Sequence, residues 1–153
     1  MGEWQRLTHV CRRWRQIIYA SPRYLDLFLY CSNRTSVAKN LGSWPAFPIA
    51  LDYHWKLRCE DDKAISLLKH SDRVRLVKIR CLQQKWEKVV TAMQEPFPVL
   101  TELDLFVELG PLDHVPVLLS GFLGGSAPCL QRLALDRIPF PALPTFSFVG
   151  SES

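Results

Sequence analysis

The sequence predicts an α/β fold: a short, irregular solenoid of parallel strands with helices outside, preceded by one amphipathic helix. Three observations predict it. A six-residue apolar phrase recurs along the chain, helix-period segments fill most gaps between its copies, and a stripe holding two tryptophans leads the whole. A strand–helix unit of that size cannot bury its own apolar face, so neighbouring units must stack.

The first element covers residues 4–22. Trp4, Leu7, Cys11, Trp14 and Ile18 are separated by three, four, three and four residues, which places them on one stripe of a helix. Val10 and Ile17 widen that stripe into a surface made for the core or for a partner. Arg6, Arg12, Arg13 and Arg15 are costly to bury unpaired and are expected outside it. Pro22 ends the helix by pushing Ser21 out of the α region.

Strands are expected at 24–30, 49–53, 74–81, 99–106 and 130–136. Helices are expected at 33–43, from Asp61 or Asp62 to Lys69, at 84–94, and at 115–123 before Gly124-Gly125. The recurring phrase is Leu100-x-x-Leu103-x-Leu105 and Leu130-x-x-Leu133-x-Leu135, with Val74-x-x-Val77-x-Ile79 as a β-branched version. Tyr24-x-x-Leu27-x-Leu29 and Ala46-x-x-Ile49-x-Leu51 are looser copies. Counted from the middle positions 27, 49, 77, 103 and 133, the steps are 22, 28, 26 and 30 residues. That is the form and the approximate period of leucine-rich repeats. Leu143-x-x-Phe146-x-Phe148 begins one more phrase, so the last coil is expected to be incomplete, with an exposed edge. The rival is a small doubly wound domain. No glycine-rich phosphate loop follows any strand, and the gaps are near the minimum for a crossover, so the repeat is preferred.

Candidate chemistry is sparse. Glu60-Asp61-Asp62 reads as a helix cap in solvent, and His9, His54, His70 and His114 are scattered with no nucleophile beside them. Ser120-Gly121 lacks the nucleophile-elbow pattern. We expect no enzyme, no cofactor and no metal. Cys11, Cys31, Cys59, Cys81 and Cys129 show no zinc-ligand spacing and read mostly as small buried hydrophobes in a reducing compartment, cytoplasmic or nuclear. With 48% apolar and 22% charged residues the composition is that of a globular protein, and the apolar stretch 115–123 is too short to span a bilayer. Much of the net charge of +4 comes from the front of the chain, yet its aromatics lie on the seam and are not interleaved with the arginines. A solvated basic face is therefore preferred over nucleic-acid binding.

Leu7-x-x-Val10-Cys11-Arg12-x-Trp14-x-x-Ile17, followed by Ser21-Pro22 and Tyr24-Leu25, resembles the last helix and exit of an F-box. The chain as a whole is similar to the F-box/leucine-rich-repeat proteins of mushroom-forming fungi. The resemblance implies a division into 1–23, a partial F-box, and 24–153, degenerate repeats incomplete at the C-terminus. Nothing before Trp4 resembles the Leu-Pro-x-Glu-hydrophobic opening of an F-box, so the F-box is expected to be truncated. The resemblance further implies a substrate receptor of an SCF-type ubiquitin ligase. Leu7, Val10, Cys11 and Trp14 would pack the F-box and touch a Skp-type adaptor, with Arg12 at the rim, while the repeats hold a protein target. The alternative is a leucine-rich-repeat interaction module without adaptor binding, in which the same residues cap the first strand.

Overall fold

The computed structural model describes residues 9–20, 28–32, 47–54, 61–111 and 114–139. The elements run in the order α1 (Arg12–Ala20), β1 (Leu29–Ser32), β2 (Ile49–His54), α2 (Asp61–Leu68), β3 (Val74–Leu82), α3 (Gln83–Ala92), β4 (Glu102–Glu108) and β5 (Arg132–Asp136). The five strands form one sheet in chain order, and every neighbouring pair is parallel.

Alternation along the strands decides which face is which. In β4, Leu103, Leu105 and Val107 are buried, while Glu102, Asp104, Phe106 and Glu108 between them are half-exposed. In β3, Val77, Ile79 and Cys81 point inward and Lys78 and Arg80 outward. The inward set joins Ala64, Leu67 and Leu68 of α2, Trp86, Val89 and Val90 of α3, and Ile18 of α1 in one core. Among the described residues the three helices therefore cover a single face of the sheet, and the second face is open. A doubly wound domain carries helices on both faces, whereas the described helices here share one. Each fully buried aliphatic side chain contributes about 1.5–3 kcal/mol, so the closed face holds the fold together.

Successive strands are entered through a ladder of backbone hydrogen bonds. The Ile49 amide donates to the Arg73 carbonyl, Thr101 to Arg75, and Gln131 to Thr101, at 2.8, 2.8 and 2.9 Å. The Arg73 guanidinium donates from Nε and Nη2 to the Phe47 carbonyl, tying the approach to β2 onto the approach to β3.

Three expectations need correction. The phrases at β3, β4 and β5 align as predicted, since Val77 faces Leu103 and Leu103 faces Leu133. The partners further back are Leu51 and Cys31, however, not positions 49 and 27. The steps are thus 20, 26, 26 and 30 residues. Both slips are even numbers of residues, which preserves the inward face; a slip of one would have exposed it. A bulge between β2 and β3 takes up part of the mismatch, since Ile49 faces Val74 while Ala50 faces Leu76.

Second, no helix forms over 115–123. The Val117 carbonyl, which a helix would pair with the Gly121 amide, instead accepts the Trp86 indole N–H at 3.1 Å. The segment runs without regular structure, with Pro116 buried and Val115 and Val117 exposed, until a short turn at Phe122–Gly125. There Leu123, Gly124 and Gly125 have φ of 56°, 59° and 70°. A side chain on Gly124 would meet the Pro96 nitrogen at 2.6 Å, so only glycine fits. Third, the cysteines divide: Cys31 and Cys81 are buried, whereas Cys11 and Cys129 are exposed. The expected helix 33–43, Cys59 and the phrase begun at Leu143 lie outside the described residues.

Candidate functional site

The helix α1 is a poor helix on its own. Arg12, Arg13 and Arg15 crowd its N-terminal part, where the helix dipole is positive, and no acidic residue sits in the first turn. Each such charge costs up to about 1 kcal/mol, and a nine-residue helix is marginal in water even without that burden. Packing must hold it. Ile18, only 3% exposed, inserts into the core, and the Tyr19 ring meets Phe47 edge-on with centroids 5.7 Å apart and planes at 65°.

The remaining apolar residues point away from that anchor. Val10 is 62% exposed, Trp14 48% and Ile17 55%, and Cys11 is exposed beside them. Trp14 and Ile17 are three apart on α1, with Val10 and Cys11 just before its first turn and exposed Arg12 and Arg13 bordering them. This corrects the seam read from the sequence. Of its members in the described residues, Ile18 turns inward while Cys11 and Trp14 turn outward. Four of the five predicted site residues, Val10, Cys11, Arg12 and Trp14, thus come together on one exposed surface; Leu7 lies outside the described residues. Ile17 belongs with them. Its signal was the helical step of three from Trp14.

An apolar strip with a large aromatic at its centre and arginines at its rim has the composition of a protein-binding surface. Among the described residues no group of three or more His, Cys, Asp or Glu could hold a metal ion. Burial pushes the Cys31 thiol up to about 11, against a smaller lowering by Arg73, and pushes Cys81 up to about 12, so neither is a thiolate nucleophile at neutral pH. No described helix is long and apolar enough to cross a membrane.

A second concavity lies at the carboxyl ends of the strands and gathers His54, Arg80, Cys81, Phe106, Glu108 and Arg137. Sequence reasoning missed it because its residues come from four separate strand units. No protein-family model, curated protein or solved structure matches this chain.

Proposed function

We propose that this chain is an F-box-like substrate receptor of an SCF-type ubiquitin ligase, docking on a Skp-type adaptor through the outward face of α1 and offering a protein target its open sheet face. The observation that carries the reading is the direction of Trp14. A helix that anchors itself through Ile18 and Tyr19 while exposing Val10, Trp14 and Ile17 is available to a partner. The arginines at its positive end, with no acidic residue in the first turn, favour a partner with an apolar slot rimmed by carboxylates, which would offset the dipole. The sheet fits leucine-rich-repeat units, since one parallel strand follows another in chain order with covering helices on one side. On this reading the chain positions a target and catalyses nothing.

A second reading, a leucine-rich-repeat interaction module that does not bind the adaptor, draws on the anchor itself. Ile18 and Tyr19 pack where a cap over the first strand would. Co-purification with a fungal Skp-type adaptor separates the two, with circular dichroism to verify folding. Adaptor retention that is lost in Trp14→Ala and Val10→Asp, both still folded, supports the receptor. A folded wild-type chain that ignores the adaptor sinks it and leaves the module.

A further inference from the structure

The cavity at the carboxyl ends of the strands has a chemistry of its own and does not depend on adaptor binding. Because the strands are parallel, their ends coincide. His54 closes β2, Arg80 lies near the end of β3, Phe106 near the end of β4, and Arg137 follows β5 directly. Side chains at these ends meet across neighbouring strands, since His54 is in register with Arg80 and Arg80 with Phe106.

Phe106 organises the cluster. The Arg80 guanidinium carbon sits 5.7 Å from the centre of its ring and that of Arg137 sits 5.4 Å away. Stacking on an aromatic face holds a guanidinium in place while leaving its N–H donors directed outward. Two cations are thereby drawn to one ring against their mutual repulsion. Among the described residues neither is paired with a carboxylate.

Backbone strain adds an independent observation. Arg137 has φ of 61°, in the left-handed region that a branched-off side chain disfavours and glycine adopts freely. Strain of this kind persists where the surroundings enforce it and collects at binding sites. Here the turn returns the Arg137 side chain over Phe106.

We propose that Arg80 and Arg137, with His54 beside them, form a binding site for a phosphomonoester dianion. Two guanidinium forks match a tetrahedral dianion better than a single carboxylate, because together they present more donors than a carboxylate can accept. The cavity encloses about 190 Å³. That is below the roughly 300–1,000 Å³ of pockets that hold drug-sized molecules, so it takes a phosphate group and not a whole nucleotide. Cys81 supplies a neutral wall. Glu108 supplies the one negative charge in the lining and weakens the site.

The phosphate can come from a small soluble phosphate or from a phosphorylated side chain on a peptide laid over the open face. Isothermal titration with inorganic phosphate, a phosphoserine octapeptide and its unphosphorylated twin distinguishes them. We expect saturable binding of the phosphate-bearing probes that weakens tenfold or more in Arg80→Gln and in Arg137→Gly, and tightens several-fold in Glu108→Gln. Arg137→Gly should melt no lower than wild type, because glycine relieves the backbone. Lys78→Gln, on the same open face but outside the cavity, should leave affinity within twofold. A phosphopeptide bound tenfold tighter than inorganic phosphate identifies the side-chain source, and equal affinities identify the soluble one. Absence of saturation by either phosphate-bearing probe at millimolar concentration overturns the site. So does affinity unchanged in both arginine variants.

Discussion

Two helices of nearly equal length carry a tryptophan each, and the protein uses them in opposite ways. In α3, Trp86 is 3% exposed, its indole N–H donates to the Val117 carbonyl at 3.1 Å, and Val89 and Val90 lie buried beside it. In α1, Trp14 is 48% exposed and Ile18 is the one buried residue of the helix. Both segments are amphipathic. One spends its apolar face on its own sheet; the other keeps a single anchor and turns the rest outward. Amphipathicity predicts that a helix packs, but the partner is decided elsewhere.

The comparison is most sharply tested at Trp86. Trp86→Ala should cost about 3–5 kcal/mol, because it opens a cavity under α3 and removes the donor that holds the 114–120 segment. For a chain of this size thermal melting should show roughly 2–4 °C lost per kcal/mol. Thiol labelling at pH 8 sharpens the comparison further. Cys11, just before α1, should react while the protein is folded, like Cys129. Cys31 and Cys81 should react only on unfolding, since burial raises their thiols to about 11 and 12 and shields them from reagent. Mass spectrometry of the labelled peptides reads this out, and early labelling of Cys81 would contradict the closed face. The smallest effect is expected at Trp14. Trp14→Ala should change stability by no more than about 0.5–1 kcal/mol, in contrast to the large cost expected of a buried tryptophan. A loss of several kcal/mol would mean that the indole is covered in the folded protein and would erase the distinction between the helices.

The strands β3 and β4 were legible because buried and exposed residues alternate along them, and β5 because its phrase repeats that of β4. Register failed at β1 and β2. The run 24–30 is apolar at nearly every position, so alternation there gives no phase. The 115–123 segment read as helical from its apolar residues, and the contact that holds it, from Trp86 to the Val117 carbonyl, joins residues 31 apart that the sequence does not pair. The outward turn of Trp14 was not legible, because the same spacing serves either a core or a partner. The phosphate cavity was almost invisible in sequence. His54, Arg80 and Phe106 each follow by three residues the middle position of an aligned strand, but that column emerges only once Leu51 replaces position 49 in the register.

The chain-order sheet also bears on how such a molecule folds and changes. Among the described residues each strand hydrogen-bonds only to its neighbours in sequence, so closing any pair requires a loop of a few tens of residues and no distant segment. Structure can start at the β3–α3–β4 unit, whose inward residues all belong to the core, and spread toward both edges. On the proposed repeat reading, a lineage can lengthen or shorten the protein by whole units at β1 or β5 without re-pairing those in the middle. The molecule's size is a variable that selection can adjust while its architecture stays the same.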